Sequence, residues 1–318
     1  MATGKALRCG IAIPQDFIDG PIGIPFLQTY LARAEALGYE SAWVGEQIVG
    51  TVPMLEPVAL LTYAAALTRG LRLGTSVMLT VLRHPIQLAK ILTSLDLLSQ
   101  GRLIVGVGIG NQRREDAAFG IPPEHRVRRF VEGIEVMKAL WTQPSVKLAG
   151  DFWKLDAISQ EPKPVQKPHP PIWFGAREPA ALRRAVRLGD AWMGAGSSSA
   201  ADFKAQSQTI RGLLDEAKRD PATFTISKRV YVAVDPDKAR AEARLRNWFG
   251  IRYRSADMAS RVAVWGSVNE CRDRIAEIVG YGAEHLLLNP VFDYMEHLEL
   301  LAKEIVPQLG GAATTSSR

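Results

Sequence analysis

Apolar β-type runs alternate with helical segments from one end of this chain to the other. That alternation restricts it to α/β architectures in which parallel strands are joined by helical crossovers. Two consecutive units are the clearest. One runs from Leu71 to Leu79 into Arg83-His84-Pro85, and the next from Leu103 to Asn111, with a helical segment over 85–98 between them. Each apolar run ends in small or polar residues, and the carboxyl ends of parallel strands are where such folds place their chemistry. Strands are expected at 7–13, 41–45, 71–79, 102–108, 171–174, 190–194, 229–234 and 285–289. Helices are expected at 25–37, 56–67, 85–98, 126–141, 179–188, 200–218, 236–248, 268–281 and 295–306. Eight strands with intervening helices, several of them apolar throughout, predict a closed parallel (β/α)8 TIM barrel with an extended insertion after strand 4.

The composition agrees with a single barrel. The chain has 318 residues, 47% hydrophobic and 23% charged, enough for a sizeable core. One domain over 1–309 and a disordered tail over 310–318 are expected. There is no run of about 18 apolar residues and no apolar signal region after Met1, so a cytoplasmic protein without membrane association is expected. The net charge of +6 is spread among acids, and the Arg clusters at 113–114, 126–129, 183–187 and 252–254 are not interleaved with aromatics. A nucleic-acid surface is therefore not expected, while a polyanionic small molecule suits the balance. Cys9 and Cys271 lack metal or disulfide spacing and read as reduced thiols; the five histidines also lack ligand spacing, so no metal is expected.

Several segments carry candidate chemistry. Residues 151–171 hold Phe152, Trp153 and five prolines, either a cap over the site or a packed excursion along one side. The run Gly106-Val-Gly-Ile-Gly110 lacks the third glycine and the ribose acid of a dinucleotide fingerprint. It reads either as a thin strand end under a flat ring or as a tight turn. Thr75-Ser76-Val77 places small polar residues in an apolar strand, as a bulge or a close backbone approach would. Gly194-Ala195-Gly196-Ser197 opens a helix and reads either as a phosphate site or as a Gly/Ser linker. Glu46 ends the second strand, suited to proton work or to a structural hydrogen bond.

Several of these stretches resemble the bacterial luciferase-like monooxygenase superfamily. They are Arg72-Leu-Gly-Thr with Arg83-His-Pro, Gly101-Arg-Leu-Ile-Val-Gly-Val-Gly, Ala34-Glu-Ala-Leu-Gly-Tyr with Trp43-Val-Gly-Glu, 162–175, and Leu188-Gly-Asp-Ala-Trp-Met-Gly194. The motif style is similar to the branch that uses the deazaflavin coenzyme F420. The resemblance implies a barrel oxidoreductase acting on a small molecule and a homodimeric assembly. Coenzyme F420 is the implied cofactor, with FMN as the alternative in a reduced-flavin monooxygenase and a non-catalytic flavin-binding protein as a further alternative. It also implies a cis peptide at Ser76-Val77 behind the cofactor ring, with Met78 following. Gly108, Gly110 and Asn111 fall at the ring platform, Phe174-Gly175-Ala176 at its edge, and Gly194 to Ser197 at its phosphate. Glu46 and Asn111 fall at the catalytic positions. Gln47 stands where the sugar-phosphate dehydrogenase relatives have His, and Asn111 where they have an acid, which argues against that activity.

Overall fold

The computed structural model describes residues 6–18, 20, 23–110 and 114–309. Asn111, Arg113 and the tail over 310–318 lie outside them. The strands are β1 Arg8–Ala12, β2 Ser41–Val44, β3 Arg72–Thr75, β4 Leu103–Val107, β5 Val146–Ala149, β6 Lys154–Ile158, β7 Ile172–Gly175, β8 Ala191–Gly194, β9 Thr225–Val234, β10 Val264–Gly266 and β11 His285–Pro290. The α-helices are α1 Ile24–Ala36, α2 Pro57–Leu67, α3 Pro85–Leu98, α4 Arg126–Thr142, α5 Pro179–Leu188, α6 Ala200–Glu216, α7 Lys238–Tyr253, α8 Met258–Val262, α9 Val268–Gly280, α10 Tyr294–Leu300 and α11 Val306–Leu309.

Eight parallel strands close a barrel in the order β1, β2, β3, β4, β7, β8, β9, β11, with β11 returning to β1. The fold is the expected α/β TIM barrel. Its helices begin where the sequence supplies a start: Pro85 opens α3, and Ser199 and Ser267 form reciprocal capping boxes with Asp202 and Glu270. None of the described helices is long and apolar enough to cross a membrane.

The barrel interior is plugged by Trp43 and Trp173, with ring centroids 5.1 Å apart, together with Ile104, Met193 and Leu287. Trp43 fits because its strand neighbours have no side chains. A Cβ at Gly74 would lie 2.3 Å from the Trp43 ring, and one at Gly10 2.5 Å from its Nε1. Below the plug, the fully buried His285 links Ser41 Oγ (3.0 Å) and Ser227 Oγ (2.8 Å). Burial and the nearby Arg8 and Arg72 bring its pKa down to about 3, so it is neutral.

The structure departs from the sequence reading in five places. The third strand ends at Thr75 rather than Leu79, because the chain turns at a cis Ser76–Val77 peptide and rejoins β4 through one bridge, Met78 to Val107. β9 begins at Thr225, four residues early, since its polar start faces inward. The short β10, which pairs with β9, went unread. Helix α7 runs on to Tyr253, and the last helix divides into α10, a π-helical turn over Leu301–Ile305, and α11. The insertion after β4 is an antiparallel hairpin, β5 and β6, followed by a proline-rich return. Glu132 of α4 accepts the backbone N–H groups of Asp151, Phe152 and Trp153 at the hairpin tip. The buried Asp96 holds Gln166 through its N–H (3.0 Å) and Nε2 (2.7 Å) at the foot of β4. The segment therefore packs along the side of the barrel.

A paired substitution tests the strand packing. A Cβ at Gly106 would lie 1.7 Å from the Thr75 carbonyl oxygen, whereas one at Gly212 in α6 meets nothing within 4 Å. Gly106→Ala should cost about 3 kcal/mol or more, because backbone cannot yield as a rotamer does. Gly212→Ala should stabilise by roughly 0.5–1 kcal/mol. Urea unfolding of both variants checks the contrast.

Candidate functional site

A cavity of about 460 Å³ opens at the carboxyl ends of β3, β4, β7 and β8. Of the candidate residues, Glu46, Ser76, Val77, Gly108, Gly110, Phe174, Gly175, Ala176, Ala195, Gly196 and Ser197 line it. Met78 instead points into the main core, fully buried, and Gly194 lies beneath the wall against Phe203. Asn111 lies outside the described residues.

The glycines also have a packing reason. A Cβ at Gly108 would lie 2.5 Å from Val77 Cγ2, and one at Gly175 2.8 Å from Val77 Cγ1. These two glycines make room for Val77, and both also line the cavity. Gly110 is at φ +69°, a left-handed conformation that glycine adopts readily. The Ser76 carbonyl accepts from Arg229 Nη1 at 2.8 Å, and the same guanidinium grips Asn289 Oδ1 through Nε, also at 2.8 Å. Ser76 Oγ contacts Met193 Sδ at 2.9 Å, joining the site to the plug.

Glu46 is held from two sides. Its carboxylate accepts the Leu79 backbone N–H on one oxygen and the Arg83 guanidinium on the other, and its side chain is fully buried. Arg83 also reaches Glu56 at 2.8 Å. Gln47 accepts from Arg252.

At the glycine–serine loop after β8, the start of α6 carries a capping box, in which the Asp202 carboxylate accepts the Ser199 N–H (2.9 Å) and hydroxyl (2.8 Å). The loop presents Gly196 and Ser197 toward Arg177, whose Nη1 lies 3.4 Å from Ser197 Oγ. The first turn of α5 borders the same end of the cavity through Ala180 and Ala181, with Arg184 beside it. A helix N-terminus and two guanidiniums thus converge on one corner. Beneath the loop, the buried Lys228 donates to the Ser198 carbonyl (2.8 Å), to Ser198 Oγ (3.1 Å) and to the Ala195 carbonyl. Burial brings its pKa from 10.5 down to about 7.

The sequence reading missed Lys228, and it missed Arg83, Arg229 and Arg252 as site residues. Ser227-Lys228-Arg229 was the available signal, since charged residues entering an otherwise apolar strand require a polar barrel interior.

Two outcomes follow from these contacts. Glu46→Gln should lower the melting temperature, costing on the order of 3 kcal/mol at most because Arg83 keeps Glu56. With both oxygens committed, turnover at equal folded fraction should stay near wild type. A loss of roughly a hundredfold or more in turnover would instead make Glu46 the proton donor. For Lys228, the unfolded chain holds the proton between about 7 and 10.5 while the folded chain releases it. Unfolding then takes up a proton, so stability rises with pH in that window. Wild type should gain on Lys228→Met from pH 7 to 10, and a flat difference in denaturant midpoints would show an amine that stays charged.

Over residues 10–285 the chain matches the family described as luciferase-like monooxygenase. It is 31% identical over 320 residues to an F420-dependent glucose-6-phosphate dehydrogenase of Beutenbergia cavernae, covering 89% of this chain and 93% of that protein. The structure of monooxygenase RslO1 from Streptomyces bottropensis superposes with a TM-score of 0.80 at 26% identity, over 95% of this chain and 99% of that one. An F420-dependent secondary alcohol dehydrogenase in complex with an F420-acetone adduct shares the fold, with a TM-score of 0.82 at 21% identity over 96% and 99% of the two chains. The barrel, the cavity at its carboxyl mouth and this full-length similarity place the chain in the luciferase-like monooxygenase family, as a flavin- or deazaflavin-dependent oxidoreductase.

Proposed function

We propose that this enzyme binds coenzyme F420 and transfers hydride to or from a small organic substrate. The carrying observation is the cavity's division into an apolar part and a cationic corner. Val77, Ile109, Phe174, Ala176 and Met193 offer apolar walls to a flat ring. Arg177 and Arg184 flank the start of α5, with Ser197 on the loop after β8 and Glu178 the one carboxylate between them, and suit an acidic, phosphate-bearing tail. The full-length similarity to an F420-dependent dehydrogenase supports the same reading. When bound, the deazaflavin supplies the hydride donor or acceptor. The chain's own residues hold and exclude. Val77 is fixed between Gly108 and Gly175, Arg229 fixes the Ser76 carbonyl, and Phe130 closes one wall to water.

Gln47 has no proton to take or give at neutral pH, which favours a substrate other than the sugar phosphate of that relative. A reduced-FMN monooxygenase is the second reading, supported by the likeness to monooxygenase RslO1. Action in the cytoplasm and a homodimeric state belong to the same proposal. The two buried free thiols support the first. Ile91 and Leu98, exposed seven residues apart on α3, support the second.

Fluorescence titration of the purified chain tests the cofactor. F420 should bind at least about tenfold more tightly than FMN, a difference of about 1.4 kcal/mol. Ser197→Asp should weaken F420 by about 1–3 kcal/mol through like charge at the tail corner. Equal or tighter FMN binding would favour the monooxygenase, and an unchanged Ser197→Asp affinity would move the tail elsewhere.

A further inference from the structure

A second, smaller cavity of about 30 Å³ lies beside the large one, under the carboxyl ends of β1, β2 and β11. Gly45, Ser76, Arg229 and Arg252 line both, so the two share a wall. The small recess holds more positive than negative charge. Arg229 and Arg252 line it, and Asp16 is its one acid among the described residues. Two guanidiniums face a single carboxylate, and neither makes a hydrogen bond to it. Arg229 is bonded to the neutral Ser76 carbonyl and Asn289 amide. Arg252 is bonded to the neutral Gln47 amide, with Asp16 Oδ2 4.0 Å from its Nε.

The recess also holds a donor with no well-formed hydrogen bond. Trp248, only 5% exposed, packs its ring on Tyr231 with centroids 5.1 Å apart, and its Nε1–H makes no hydrogen bond. The N–H faces the Asp16 carboxyl closely enough to help hold it charged, without the distance and angle of a formed hydrogen bond. A buried N–H without an acceptor costs free energy that a ligand oxygen would recover. The volume limits what that ligand is. One water needs about 10–15 Å³ by this measure, so the recess takes two water-sized atoms, the span of one carboxylate head.

We propose that this recess receives the carboxylate of an acidic substrate, held by Arg229, Arg252 and the Trp248 indole N–H, with the rest of the molecule extending into the large cavity. That the guest is a substrate rests on the hydride-transfer reading; that it is a carboxylate rests on the recess alone. Asp16 does not bar it. Its Oδ1 accepts the Tyr294 hydroxyl at 3.0 Å. Burial raises its proton affinity, against the opposing pull of Arg252, Tyr294, Arg229 and Trp248. A carboxyl so placed can share a proton with a bound carboxylate.

Benzoate and benzamide have the same shape and differ in charge, so saturation-transfer NMR of the purified chain with each tests the inference. Benzoate should bind at least about tenfold more tightly than benzamide. Trp248→Phe, which keeps the ring packing and removes the N–H, should weaken benzoate by roughly fivefold or more. Arg252→Gln provides the same reading from the opposite wall if the aromatic variant fails to fold. Equal binding of the two probes would overturn the proposal and leave only two waters in the recess. Benzoate binding unchanged in the variants would overturn it too, by placing the anion elsewhere. An F420 titration of the same samples separates the two readings. Cofactor binding without selection for benzoate removes the recess alone. Selection for benzoate without cofactor binding removes the cofactor and keeps the carboxylate site.

Discussion

The packing of Trp43 between two glycines is the constraint on which the rest of the molecule depends. An eight-stranded barrel of this width must be filled by side chains, because it leaves no room for a solvent channel. Here one large ring does much of that filling, and it can do so only because Gly10 and Gly74 on the flanking strands have no Cβ. Its indole N–H is satisfied by Ser41, which in turn meets the neutral His285. Losing such a ring from a packed core typically costs roughly 3–5 kcal/mol. Above it, Met193 belongs both to the plug and to the cavity wall, so the floor of the site is the top of the core.

From that floor upward, the site is shaped by how backbone is held in irregular conformations. Val77 sits between two glycines, Gly110 turns in the left-handed region, and the carbonyl of Ser76 is gripped by a guanidinium reaching from β9. Glu46 fixes the chain after β3 by accepting the Leu79 N–H while paired with Arg83. These contacts tie the ends of four strands together and leave few acid–base groups free. That suits an enzyme whose cofactor carries the redox chemistry and whose protein supplies position and field.

The charges around the mouth divide by task. Arg83 is matched by Glu46 and Glu56. Lys228 is buried under the β8 loop and spends its donors on that loop's own carbonyls. Arg177 and Arg184 stand at the α5 corner, and Arg229 and Arg252 on the wall shared by the two cavities. Four cations thus stand at two places about the mouth. Anions are drawn to such places most strongly when the site is dry.

The sequence by itself determined the barrel, and it did so for a local reason. Parallel strands buried on both faces must be apolar runs, and the helices between them carry their own start signals, so α3 and α5 were legible to the residue. It also marked most of the cavity lining, because small residues at strand ends are visible as letters: Ser76, Val77, Gly108, Gly175 and Gly196 all reach it. What it could not show is what each glycine faces. That Gly108 faces Val77, or Gly74 faces Trp43, depends on the register between strands distant in the chain. The same holds for the small recess. Trp248 and Arg252 share a face of α7 at i, i+4 spacing, but nothing in local sequence links them to Arg229 on β9 or to Asp16 after β1. Only closing the barrel, which brings β11 back against β1, sets these groups around one recess and leaves an indole N–H there without a partner.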